Sequence, residues 1–292
     1  MTKKRLQRLN WFYVPAVVLM ILFIAYPLGN AIYLSFFKWN GYSVKKDFIG
    51  VQNYISMFND KTFVSSLRNT LLYGFVCTFL QQVIGLAMAV FLNTKFKGRG
   101  IARTVIYMPA MVSGLVMGYI MYFFFQTKGG VMNDILSSMG LATVDWLGNG
   151  NTAIAVIIFI NTWQFVGVSM VIYLAGIQGV SQSYIEAATV DGANAWQRFW
   201  NVTIPSISPI IFYNVLTALI THLQVINPAL ALTDGGPGKK SMFMSYVIYL
   251  YAFKKNKLGY AAAYSVIFFI LVGIFTAVLF KTQKEQIFGE GE

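Results

Sequence analysis

Apolar residues fill six long windows of this chain, at about 11–37, 70–92, 104–125, 153–176, 207–232 and 260–280, with polar, basic or glycine-bearing stretches between them. A helix rises about 1.5 Å per residue, so about 20 apolar residues cross a hydrocarbon core. Each window has that length, and the pattern predicts an all-α membrane protein with six transmembrane helices. A seventh window, Met242–Phe253, is too short, and its Tyr246, Tyr249 and Tyr251 suit an interfacial segment. The first window follows Lys3, Lys4, Arg5 and Arg8, as a secretory signal would. Its apolar stretch is too long for one and no A-x-A site follows, so it reads as a retained span.

Composition points the same way: 57% of the 292 residues are hydrophobic and 11% charged, with mean hydropathy +0.61, whereas soluble domains carry roughly 25% charged residues. The single Cys77 excludes a disulfide framework within the chain. The net charge of +12 is juxtamembrane charge and no sign of a nucleic-acid partner, because the basic residues cluster where apolar windows stop, next to lipid. With an inside N-terminus, the 22 Lys and Arg divide equally between the two sides, so the total does not orient the chain. Density does: Lys3–Arg8 and the Lys95, Lys97, Arg99 and Arg103 of "KFKGRGIAR" are the most basic segments. Both termini are therefore predicted to be cytoplasmic. Residues 1–10 form the N-terminus, 11–280 one transmembrane domain with an inside loop at 177–205, and 281–292 a tail. The stretches 38–68, 127–151 and 233–259 fall outside.

Candidate chemistry is sparse. A lone His222, a lone Cys77 and ten acidic residues build neither a metal site nor a catalytic centre. "GGPGKKS" (235–241) looks like a phosphate loop, but that motif needs Gly where Thr233 stands. The spans also lack the buried carboxylates of a proton- or sodium-driven carrier. No enzymatic activity and no bound cofactor are expected of this chain. Polar residues inside spans are the remaining candidates. Asn214, Thr217, Thr221 and Gln224 recur at spacings of 3, 4 and 3, one helical stripe, with Tyr213 adjoining. Asn161 and Gln164 are three apart in the fourth window, with Trp163 beside them. Amides, hydroxyls and an aromatic face suit a neutral polyhydroxylated solute; the same residues serve equally as glue between helices, as Gly114 and Gly118 do in the third window. Gln81 and Gln82 are weaker pathway candidates. His222 lies roughly 80° off the stripe and reads as a packing residue.

The inside loop carries "YIEAATVDGANAWQRFWNVTIP" (184–205). Ser183 and Glu186 have the spacing of a capping box, and Glu186 suits the positive end of a helix. Gly192 allows a tight turn that a side chain would obstruct. "WQRFW" adds a second helical turn with an aromatic face, and Pro205 can start the next span. A stiff helix–turn–helix along the inner membrane surface fits these residues, and so does a merely long loop.

Resemblance separates the two. Glu186, Ala187, Ala188, Gly192, Val202, Ile204 and Pro205 resemble the EAA signature of bacterial ABC importer permeases: E-A-A, three residues, Gly, nine residues, then hydrophobic-x-hydrophobic-Pro. "YPLGNAIYLSFFKWNG" (26–41), "FIGVQNYISMFND" (48–60), "LRNTLLYG" (67–74) and "LTDGGPG" (232–238) are similar to the carbohydrate uptake transporter family 1, on its maltose and glycerol-phosphate branch. The resemblance implies a type I ABC importer permease fold in the bacterial cytoplasmic membrane. It implies a coupling helix that docks in a groove of an ATPase subunit, with Glu186, Ala187, Ala188, Asp191, Gly192, Arg198 and Pro205 in that role. It implies a second, related permease, two ATPase copies that bind ATP and Mg, and an extracellular or periplasmic sugar-binding protein. Asn161, Trp163, Gln164, Tyr213, Asn214, Thr217, Thr221 and Gln224 then become the pathway of a di- or oligosaccharide. An ATPase-independent secondary carrier or channel, and a membrane-embedded enzyme, are the competing classes. The EAA stretch opposes the first, and the missing reactive cluster opposes the second.

Overall fold

The computed structural model describes residues 12–288, and side chains over 12–281. The predicted N-terminus 1–10, Trp11 and tail residues 289–292 lie outside the described residues; residues 281–288 continue the last helix. Nearly everything described is helical. The exception is a short antiparallel ribbon, β1 (Phe37–Lys38) with β2 (Asp47–Phe48), which sets Phe37 opposite Phe48. The helices are α1 (Val14–Leu34), α2 (Gln52–Phe58), α3 (Lys61–Asn93), α4 (Arg99–Tyr107), α5 (Gly114–Phe125) and α6 (Val131–Ser138). They continue with α7 (Gly150–Gln178), α8 (Gln182–Val190), α9 (Ala195–Ser206), α10 (Ser208–Leu223), α11 (Met244–Tyr249) and α12 (Leu258–Phe288).

Among the described residues four helices are long and apolar enough to cross a membrane: Val14–Leu34, Lys61–Asn93, Gly150–Gln178 and Leu258–Lys281. Two more crossings are available if each of two bent pairs forms one span: Arg99–Met111 with Gly114–Phe125, bent by 98°, and Ala195–Ser206 with Ser208–Leu223, bent by 68°.

The bends correct the expectation of continuous spans at 104–125 and 207–232. In the first, a tight turn over Met108–Met111 carries Pro109, which has no N–H to continue a helix, and Val112 and Ser113 are extended at ψ 135° and 136°. In the second, the helix breaks at Ile207, restarts with Pro209 in its first turn, and ends at Leu223. Residues 225–232 do not extend it; a wide turn over Ala229–Thr233 follows Pro228. Pro205 does not start a span either, because α9 already begins at Ala195. Its missing N–H falls just after another wide turn, Phe199–Thr203, and Pro27 stands in the same relation to the wide turn Ile21–Ala25 of α1. The short window at 242–253 forms α11 and a wide turn over Leu250–Lys254.

Among the described residues two groups pack internally: those of 12–63 with 247–271, and those of 64–246 with 272–288. In the first, the buried Asn53 side chain of α2 donates to the carbonyls of Ser35 (2.7 Å) and Phe37 (3.0 Å), pinning the end of α1 to the ribbon. Tyr251 donates to Asp60 at 3.0 Å. Burial, with the Asp60 carboxylate beside it, holds the Tyr251 phenol above its ordinary range, so the hydroxyl remains a donor.

In the second group α3 and α7 run parallel. Cys77 lies by Ile158, Gly85 by Ser169, and Ala89 and Leu92 pack with Met170, Tyr173 and Leu174. A Cβ on Gly85 would come within 2.8 Å of Ser169 Cβ, so the approach of the two helices requires a glycine there. Close approach of small residues drives helix association in lipid, where apolar burial alone gives no preference. Gly118 of α5 likewise meets Ala231, and Gly114 meets Asn227, the packing role expected of this pair. Parallel neighbours share their ends, so the loops after Asn93 and after Gln178 lie on the same side of this group. Thr70, near the start of α3, accepts from the Met244 N–H at 2.9 Å, which places residues near 244 at the other end.

Candidate functional site

The loop after α7 is built from local rules. α8 ends in a Schellman turn: the Gly192 N–H donates to Thr189 O (3.1 Å) and the Ala193 N–H to Ala188 O (2.9 Å), with Gly192 at φ +80°. Nothing lies within 4 Å of where a Gly192 Cβ would sit. The reason for glycine is therefore the left-handed backbone and not crowding, which corrects the reading of an obstructing side chain. Asn194 then caps α9. Its side chain accepts from the Gln197 N–H (2.9 Å), and the Gln197 side chain accepts from the Asn194 N–H (2.8 Å). The capping box lies here and not at Ser183 and Glu186, because α8 already starts at Gln182 behind Ser181. Arg198 is half-buried and donates to Ala193 O at 2.7 Å, tying the second helix back over the turn.

Two short helices with a fixed angle result. Glu186, Ala187, Asp191, Gly192 and Pro205 are exposed, and Ala188 is half-buried. Tyr184, Val190, Trp196 and Trp200 are exposed apolar residues on the same loop. Trp200 meets Trp196 and Phe199 edge-on at 5.6 and 5.2 Å, which stiffens the second helix. A groove of about 910 Å³ runs beside the loop, walled by Val171, Ala175, Tyr184, Pro209 and Tyr213.

The in-span polar residues divide into two sets. Asn214 is buried and belongs to a network that joins α3, α7 and α10. Ser169 Oγ donates to Asn214 Oδ1 (3.2 Å), Gln81 Nε2 donates to Ser169 Oγ (2.8 Å), Gln82 Nε2 donates to the Asn214 carbonyl (3.3 Å), and the Tyr173 hydroxyl donates to Gln82 Oε1. Asn161 and Gln164 are buried as well. Gln164 Nε2 donates to Val112 O at 2.9 Å, which satisfies a carbonyl freed by the break between α4 and α5. Exposed or half-buried, by contrast, are Trp163, Tyr213, Thr217, Thr221 and Gln224. Thr217 and Thr221 donate to carbonyls one turn back on α10 (2.8 Å each), so their acceptor lone pairs face outward. Gln224 follows the last residue of α10 and continues the stripe only as its cap. His222 is buried, within 3.0 Å of Thr78 Oγ1 and edge-on to Tyr73 at 6.0 Å, the packing position expected of it. Sequence reasoning missed the network centred on Ser169. The signal was available: Gln81, Gln82 and the Ser169–Tyr173 pair, one helical turn apart, are polar groups in apolar windows.

The helix order, the two broken spans and the projecting loop can be set against known proteins. The sequence profile described as "Binding-protein-dependent transport system inner membrane component" matches residues 81–284. This chain belongs to that family. As a member of these binding-protein-dependent permeases, it is 35% identical over 282 residues to the probable ABC transporter permease protein YurN of Bacillus subtilis, covering 94% of this chain and 96% of that one. It is 31% identical over 290 residues to the multiple sugar-binding transport system permease protein MsmF of Streptococcus mutans, covering 98% and 99%. Its fold matches a bacterial ABC transporter for import of the acidic polysaccharide alginate at a TM-score of 0.82 and 23% identity, over 97% of both chains. The permease fold, a helical inner-membrane component with the signature loop, is thereby shown.

Proposed function

We propose that this permease is one of two related membrane subunits of an ATP-driven sugar importer, and that the 182–206 loop transmits the motion of the ATPase subunits. The observation that carries this reading is the loop itself. Its backbone is fixed at Gly192 and at Asn194, yet its apolar side chains Tyr184, Val190, Trp196 and Trp200 are exposed. A stiff element with exposed aromatic anchors fits a partner's groove, and a floppy one would absorb the motion it must pass on. ATP and Mg belong to the partner ATPase subunits. Glu186 and Asp191 offer charge to a basic groove, while Arg198 and Pro205 shape the loop from within.

Sugar as the substrate class draws support from the relatives, which include permeases described for lactose, for trehalose and maltose, and for starch degradation products. The exposed set Trp163, Tyr213, Thr217, Thr221 and Gln224 offers hydroxyls, an amide and aromatic faces, the chemistry that a di- or oligosaccharide uses. In this reading Asn214, Asn161 and Gln164 hold helices together, and a second permease lines the rest of the passage. An external sugar-binding protein delivers the solute. Both termini lie in the cytoplasm. The parallel course of α3 and α7 supports that orientation, because it sets the basic 95–99 segment and the coupling loop on one side.

Reconstitution tests this directly. The complex with a second permease and two ATPase copies should hydrolyse ATP faster when the binding protein carries its sugar, and the chain alone should bind no ATP. Transport by this chain without ATPase subunits would favour a secondary carrier. With Cys77 removed, cysteines placed near Lys97 and Ser181 should label only from the cytoplasm; labelling from outside would invert the topology.

A further inference from the structure

A cavity of about 810 Å³ opens among the β1–β2 ribbon, α2 and the turn before α12, on residues that the proposed orientation places outside. Its wall carries Lys38, Lys45, Lys255 and Lys257 against two carboxylates, Asp47 and Asp60. Both carboxylates are engaged. Asp47 lies 3.6 Å from Lys45 Nζ, and Asp60 accepts from the Thr62 N–H (2.8 Å) and the Tyr251 hydroxyl (3.0 Å). Among the described residues no acid pairs with Lys38, Lys255 or Lys257. The aromatic rings are engaged as well: Lys46 stands 4.3 Å over Trp39, Lys255 stands 4.6 Å over Tyr251, and Tyr260 packs edge-on between Tyr251 and Tyr264. The rim is held by its own hydrogen bonds. Asn40 Oδ1 accepts from the Tyr42 and Ser43 N–H groups, Trp39 Nε1 donates to Ser43 O, and the Gly259 N–H donates to Trp39 O.

A preformed cavity with surplus positive charge, whose aromatic rings already carry lysines or pack edge-on, is poorly suited to stacking a neutral sugar. It suits carboxylates. We propose that this cavity receives acidic side chains of the external solute-binding protein, with Lys38 and Lys257 steering and registering its docking; this rests on the importer reading above. A free carboxylate gains little from exposed lysines, since such pairs are weak and screened by salt. A protein that presents several fixed carboxylates uses the same field for faster encounter and for orientation.

The test uses the complete complex in lipid nanodiscs and the binding protein that stimulates its ATPase, with association timed from low to physiological salt. The double variant Lys38→Glu with Lys257→Glu should slow association about tenfold at low salt and flatten its salt dependence. ATP hydrolysis without the binding protein should stay at the wild-type rate. Free hexaglutamate should compete with the binding protein for the wild type and not for the variant. If the charge reversals impair folding, Lys38→Gln and Lys257→Gln should show the same trend at smaller size. Unchanged association and an unchanged salt slope in the variants would overturn the proposal. So would free galacturonate occupying the cavity, in a Lys38- and Lys257-dependent way, more tightly than hexaglutamate does. A wild-type complex that no binding protein engages removes the importer reading, and this proposal with it.

Discussion

The 182–206 loop and the buried polar network are both made of amides and hydroxyls, yet they obey different rules. In the loop, each hydrogen bond closes within five residues: Ala193 to Ala188, Asn194 to Gln197, Arg198 to Ala193. In the network, Gln81 reaches across 88 residues to Ser169, and Gln82 across 132 to Asn214. The loop is therefore a property of its own short sequence, and the network exists only once three helices have met. A change in the loop should spare insertion and disturb what the loop does. A change in the network should weaken the subunit itself.

The largest effect separates the two at Gly192. Leu there faces open space but a left-handed backbone, a strain of about 1–2 kcal/mol localised at the turn. Gly192→Leu should bring sugar transport close to background while the protein inserts and assembles, and Gly192→Asn, which tolerates that backbone, should keep most of the activity. A Leu variant that transports at the wild-type rate would break the claim that the turn angle matters. Next comes Gln82→Leu, which leaves the Tyr173 hydroxyl without its acceptor and the Asn214 carbonyl without one of its donors. Hydrogen bonds between helices in lipid are worth about 0.6–2 kcal/mol, so thermal stability in detergent should fall by that order.

Asn194→Ala removes one half of the capping box and should cost about 1 kcal/mol, read as faster proteolysis or hydrogen exchange confined to 193–206. The smallest effect on stability belongs to Thr221→Val, an exposed hydroxyl replaced at constant shape, within about 0.5 kcal/mol of wild type. It should nevertheless shift sugar preference in competition assays. If it weakens assembly with the second permease and leaves preference unchanged, the exposed stripe is an interface and no pathway.

The same contrast explains what could be read in advance. The signature from Glu186 to Pro205 prescribes a local backbone, and the turn at Gly192 follows from one residue. Even there, the capping box expected at Ser183 and Glu186 gives way to one at Asn194 and Gln197. The second formed because the glycine ends one helix and obliges another to start. The spans were legible as apolar windows wherever the helix runs straight. Hydropathy does not register the break at Pro109–Ser113, which lies inside one apolar window. Nor does a stripe of polar residues say which neighbour it will face. Asn214 turned inward to Ser169 and Thr221 outward, although they lie on one helical line. The inward contact also depends on Gly85, whose missing side chain lets α7 bring Ser169 close to α3.

The parallel pairing of α3 with α7 also imposes an order on biogenesis. Gln81 and Gln82 enter the bilayer before their partners exist. At about 5–20 residues per second, Ser169 and Asn214 are synthesised roughly 5–25 seconds later. During that interval two amides in an apolar helix must remain near the insertion machinery, a chaperone or water. A ribosome-stalled chain ending before α7 should therefore hold α3 crosslinkable to the translocon, and release should follow only when Ser169 arrives.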